Sequence, residues 1–261
     1  MADMHAHYAS QDEGQRLLRS GHGRLELERM RELFLQYLPT PPASVLDVGG
    51  GTGIHAVWLA ERGYHVHLVD PVPRHVATAA EHGTFTASVG DARQLPRGDG
   101  TIDAVLLLGP LYHLVLAADR RAALLEAVRV LRPAGVLMAA AISRFMALLD
   151  WGASGELTQE IAQRLVPVIE TGDHDADLGF TDVHFHLPDE LREEVVAAGV
   201  QGVQVMGIEG PLWTALDAGG ATDELFQSAL RAARMTETEP SLLGSNPHLL
   251  AVGTAPRLEP G

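Results

Sequence analysis

The pattern that points to chemistry is Asp47, Gly49, Gly51, Gly53 and Asp70, all within SVLDVGGGTGIHAVWLAERGYHVHLVD, Ser44 to Asp70. The apolar run Val45, Leu46, Val48 is too short for a helix and stops at the glycines, which reads as a buried parallel strand entering a tight turn. Glycine serves there because some turn positions require φ > 0 and others must lack a Cβ for a ligand to come close. A second apolar run, Val66 to Val69, ends in Asp70. At the carboxyl edge of a doubly wound sheet such a carboxylate can accept hydrogen bonds from a ribose diol. The dinucleotide fingerprint is GxGxxG, whose third glycine packs helix on strand, but Ile54 occupies that position here. Asp47, just before the glycines, would repel a pyrophosphate and suits an ammonium group. Further candidates for acid–base or substrate chemistry are His113, whose ordinary pKa lies near neutrality, and the alternating pair His184 and His186, with His174 upstream.

The glycine stretch resembles motif I of the class I S-adenosylmethionine-dependent methyltransferases. GPLYHL, Gly109 to Leu114, looks like a variant found in bacterial small-molecule enzymes of the broad methyltransferase-11/25 type. The resemblance implies S-adenosyl-L-methionine as cofactor and S-adenosyl-L-homocysteine as product. The turn Gly49, Gly51, Gly53 with Asp47 would carry the methionine portion and Asp70 the ribose. Asp91 and Ala92 would lie at the adenine, and Leu108 and Tyr112 would pack on the cofactor. Gly109 stands where enzymes that methylate bases or glutamine side chains carry Asn or Asp, so the implied acceptor is a small molecule. VLRPAGVLM is similar to the family's turn into the fifth strand with Ala134 in place of one glycine, and Gly135 is expected to make that turn. The expected reaction is SN2 transfer to an O, N or C nucleophile, with His113 and His186 as candidate catalytic bases. Tyr8, His113, His174, His184, His186 and Glu209 are the candidate substrate contacts. For Glu209 a salt bridge is an equal alternative. The rivals are a cofactor-binding regulatory or partner protein without turnover, and an NAD(P)-dependent reductase.

The elements that must position these residues alternate in the order expected of an α/β, doubly wound, Rossmann-like sheet of seven strands with an antiparallel last strand. Residues 1–41 are expected to be an N-terminal helical lid, broken at Gly21 to Gly23. Residues 42–142 form the cofactor-binding core, 143–187 a substrate cap inserted after the fifth strand, and 188–261 the completion of the sheet. Asp119 is expected to cap the helix before the fifth strand. From Thr181 to Leu187 the residues alternate, with Val183, Phe185 and Leu187 on one face and Asp182, His184 and His186 on the other. No third ligand is fixed by spacing near the two histidines, so no metal is expected.

A formal net charge of −15 opposes binding of a phosphate backbone, so nucleic acid is not the expected substrate. There is no cysteine, which removes thiol and disulfide chemistry. No apolar run approaches the length of a membrane span, and no apolar leader precedes the first charged residues. The expectation is therefore a cytoplasmic monomer or homodimer acting on a small-molecule acceptor, away from membranes.

Overall fold

A computed structural model describes residue 17 and residues 20–174, 182–218 and 222–257 of the chain. Tyr8 lies outside the described residues. Seven strands form one sheet: β1 (Ser44–Val48), β2 (His65–Asp70), β3 (Thr86–Val89), β4 (Ile102–Leu107), β5 (Leu131–Ile142), β8 (Gln201–Gly207) and β9 (His248–Thr254). Their spatial order is β3-β2-β1-β4-β5-β9-β8. The first five pair in parallel, and β9 runs antiparallel between β5 and β8. Strand order reverses beside β1, so the crevice above β1 and β4 is a topological switch point. Val45 and Leu46 point to opposite faces of β1, and both faces are buried, which is why the run is continuously apolar rather than alternating.

Helices cover both faces: α1 (Gly21–Tyr37), α2 (Ile54–Ala60), α3 (Pro73–Glu81), the single turn α4 (Pro110–His113), α5 (Ala117–Val130), α8 (Pro188–Ala197), α9 (Trp213–Ala218) and α10 (Asp223–Thr236). Between β5 and α8 lie α6 (Met146–Ser154), α7 (Gln159–Thr171) and the short ribbon β6 (Asp173–His174) with β7 (Val183–His184). A separate apolar cluster of Ile142, Leu165, Val168, Val183 and Phe185 packs this insertion onto the end of β5.

Four local expectations are corrected. The break expected at Gly21 to Gly23 falls at Ser20 instead, whose extended backbone and hydroxyl, accepting from the Gly23 N–H at 3.0 Å, start α1 at Gly21. Asp119 does not cap α5, whose N-cap is Leu116; it sits in the first turn and pairs with Arg93. Ala134, not Gly135, takes the left-handed conformation in the turn, with φ 61°. Gly135 is needed for another reason, since a Cβ there would lie 2.9 Å from the Arg132 carbonyl oxygen. Finally, the polar side of the alternation is closed at both histidines, although Asp182 on the same side stays exposed. His184 and His186 are as buried as Val183 and Phe185, because α8 and the end of β5 cover the side on which the histidines lie.

Candidate active site

Between the carboxyl ends of β1, β2 and β4 lies a cleft of about 440 Å³. Asp47, Gly49, Gly51, Asp70, Asp91, Ala92, Leu108, Tyr112 and His113 all line it. Gly53 stands just behind, in the left-handed conformation (φ 93°) that lets the turn enter α2, and a Cβ there would lie 2.6 Å from the Phe85 ring. At Gly51 a Cβ would meet nothing within 4 Å, so a side chain there would project into the cleft instead of into protein.

Asp47 is the most informative residue of the site. Its carboxylate is fully buried, and neither oxygen has a hydrogen-bond partner. Burial pushes its pKa up to about 7, and the nearby Asp70 adds to the rise. A buried carboxylate is costly unless it is paired, so the position fits a positively charged ligand group. Asp70 is already oriented: it accepts from the Gly51 N–H at 3.0 Å and the Val72 N–H at 2.9 Å, and the His75 Nδ1 lies at 3.2 Å. A carboxylate offers about four lone-pair sites, so capacity remains for a diol. Asp91 is bonded to Arg93, and hydrogen bonds from that guanidinium hold its carboxyl below the ordinary range against the opposing effect of burial. Arg93 also reaches Asp119 at 3.1 Å, clamping the loop after β3 to α5. Tyr112 and His113 leave β4 together on α4, with ring centroids 4.5 Å apart.

The other candidates lie outside the cleft. His186, expected to face the acceptor, is completely buried and bonded through Nε2 to Glu194 at 3.3 Å. Burial holds its pKa below the ordinary histidine value in spite of that carboxylate. His184 bridges Asp173 at 2.8 Å and Glu190 at 2.7 Å. His174 is buried against Phe185, with ring centroids 5.1 Å apart. Together with Arg144–Glu190 and Arg120–Glu194, these groups form a clasp fastening the insertion to α8 and α5. The cleft expectation for the three histidines is therefore corrected: each is held within the insertion and its clasp. Glu209 is also buried, and it takes the salt-bridge alternative, with His248 Nδ1 at 2.5 Å.

Sequence reasoning missed Glu26, His55, His75, Arg93 and Asp182, all of which line the cleft. His75 had a usable signal, standing five residues after the strand-ending Asp70 in the first turn of α3. Glu26 had none, because only the packing of α1 brings it to the cleft.

A family model described as a methyltransferase domain matches residues 46–139. An uncharacterized methyltransferase of Mycobacterium tuberculosis (strain H37Rv) is 42% identical over 102 residues, covering 38% of this chain and 40% of that protein. The match to such relatives thus spans well under two thirds of their length. An S-adenosyl-L-methionine-dependent Diels-Alderase of Neonectria sp. is 30% identical over 183 residues, covering 64% of this chain and 70% of the relative. The methyltransferase solved in complex with the Haloferax volcanii Trm112 activator superposes with a TM-score of 0.62 at 19% identity, covering 95% of this chain and 96% of that one. The strand order with its antiparallel β9, the glycine turn between two carboxylates and these similarities place the chain in the class I S-adenosylmethionine-dependent methyltransferase family.

Proposed function

We propose that this protein binds S-adenosyl-L-methionine in the β1–β4 cleft and transfers its methyl group to a small-molecule acceptor. The observation that carries the reading is Asp47, a buried carboxylate with no protein partner on the wall of a cleft whose glycine turn leaves room for a ligand. In this reading Asp47 holds the cofactor's ammonium, Asp70 its ribose, and the loop at Asp91 and Ala92 its adenine. Bound there, the cofactor supplies a sulfonium-activated methyl group and leaves as the homocysteine thioether.

The chain's own contribution is alignment and exclusion of water, and alignment alone is worth roughly 7 to 11 kcal/mol of barrier. His113 is the base candidate that lines the cleft, on the turn leaving β4. It would take a proton from an acceptor whose nucleophile is protonated at rest, an effect of about 10²- to 10⁴-fold. His186, buried in the insertion, is not carried forward in this role.

A second reading is favoured by the Diels-Alderase similarity, since that relative pairs cofactor dependence with a different reaction. The experiment is calorimetry with S-adenosylmethionine, S-adenosylhomocysteine and NADH on wild type and Asp70→Ala, followed by a screen of candidate acceptors for methylated product. Binding of the two sulfur cofactors, lost in the variant and absent for NADH, supports the site. Methylated product then separates transfer from cofactor binding alone. Binding of NADH only would sink the proposal.

A further inference from the structure

Beyond the cofactor residues the cleft wall has a second charged pole. Glu26 of α1 reaches the cleft, and its Oε2 lies 3.9 Å from Nδ1 of His248, the first residue of β9. The same imidazole nitrogen lies 2.5 Å from Oε1 of Glu209, which follows β8, and the His248 N–H donates to Glu209 Oε2 at 3.3 Å. Three elements distant in sequence thus converge, and among the described residues this is the group whose carboxylate and imidazole donor atoms all lie within 4.8 Å of one another. Glu209 is completely buried, whereas the side chains of Glu26 and His248 keep 13% exposure each.

Position separates this pole from the cofactor's end. The glycine turn and Asp70 stand at β1 and β2, whereas His248 begins β9, which is three strand spacings from β1 in the order β1-β4-β5-β9. At about 4.8 Å per spacing this is roughly 14 Å along the same carboxyl edge. His113, on the turn after β4, lies between the two ends.

Charge selects what the pole would take. Two carboxylates share one imidazole here, so acidic groups outnumber basic ones at this pole. The described residues of the rest of the wall are mostly of the same sign: among them Asp47, Asp70, Asp91, Asp119 and Asp182 line the cleft with one guanidinium, that of Arg93. A cofactor with one net positive charge leaves that surplus in place. A low-dielectric cleft walled by one sign of charge raises the local concentration of the opposite sign. We propose that Glu26, backed by the Glu209–His248 pair, is the recognition site for a protonated amine on the methyl acceptor, making the acceptor class a cationic amine and not an alcohol, a carboxylate or a phosphate. This rests on the cleft being the methyltransferase site proposed above.

The test uses the full chain saturated with S-adenosylhomocysteine, titrated near neutral pH with benzylamine, benzyl alcohol and benzoate by calorimetry and ligand-observed NMR. A charge-assisted hydrogen bond predicts that the amine binds about tenfold more tightly than the alcohol, and benzoate weakest. Glu26→Gln should erase that preference while S-adenosylhomocysteine affinity and melting temperature stay at the wild-type level. Because the three probes are ranked on wild type first, the proposal remains falsifiable if the variant misfolds. Equal or better binding of the alcohol or benzoate, or no binding of the amine, overturns it. Binding of Zn²⁺ or Mg²⁺ lost in Glu26→Gln, without amine preference, would also overturn it and make the group a metal site. Failure of S-adenosylhomocysteine to bind at all would instead refute the cofactor reading.

Discussion

In the proposed cofactor site, Asp47 would trade stability against binding. With its pKa raised to about 7 by burial and by Asp70, the carboxyl is half protonated near neutrality before ligand arrives. An ammonium bound against it favours the ionised form, so binding releases a proton below that pKa and is strongest above it. Affinity for S-adenosylhomocysteine, measured by calorimetry from pH 8 downward, is therefore expected to fall as pH drops through about 7, approaching about tenfold per pH unit for one linked proton. Asp47→Asn should bind weakly and lose that dependence; an unchanged slope in the variant would show that another group is responsible. The stability sign is opposite. A carboxyl whose folded pKa exceeds its unfolded value of about 3.9 is favoured in the protonated form by folding, so the ligand-free protein loses stability as pH rises between the two values. Asp47→Asn removes a buried charge and should raise the melting temperature of the ligand-free protein above pH 7, where the wild-type penalty is complete.

The insertion is tied to α8 by Glu190, which accepts from Arg144 at 2.6 Å and pairs with His184 at 2.7 Å. Burial raises the Glu190 pKa, but the His184 hydrogen bond and the other donors outweigh it and leave the carboxyl at about 2. A depressed folded pKa stabilises above the unfolded value and loses that contribution as pH falls to the folded one. Melting temperature should therefore drop between about pH 5 and pH 2, and Glu190→Gln should be less stable at neutral pH with a flatter acid limb. Retention of the full acid limb in the variant would place the sensitivity elsewhere. In the turn before the central part of β5, Ala134 holds φ 61°, a conformation that costs an L-residue about 1–2 kcal/mol. Ala134→Gly relieves it but loosens the unfolded chain, so a net gain of about 0.5 kcal/mol or less is expected in urea titrations. Destabilisation would show that the alanine methyl has a packing role that outweighs the strain.

At the scale of the molecule, what was legible in the sequence is what local rules determine. Val45 to Val48, the glycines and Asp70 form one strand–turn–helix–strand unit, and repetition of the strand–helix alternation gives the parallel part of the sheet and the glycine-turn end of the cleft. Illegible were the residues brought in by long-range packing: Glu26 is placed by the docking of α1, and His186 is turned away by α8, which no alternation pattern reports. Net charge is legible but has no address in the sequence; the fold supplies one by collecting carboxylates around the cleft. That yields a last prediction. S-adenosylmethionine carries one net positive charge more than S-adenosylhomocysteine, and both would meet the same wall on a chain of net charge −15. Raising salt from about 0.01 M to about 0.3 M shortens the Debye length from about 30 Å to well under 10 Å and removes long-range attraction. The methionine cofactor should therefore weaken several-fold over that range while the neutral product changes little, both followed by calorimetry at fixed pH. If the two decline together, contacts within the glycine turn, and not the field of the acidic wall, set the preference between cofactor and product.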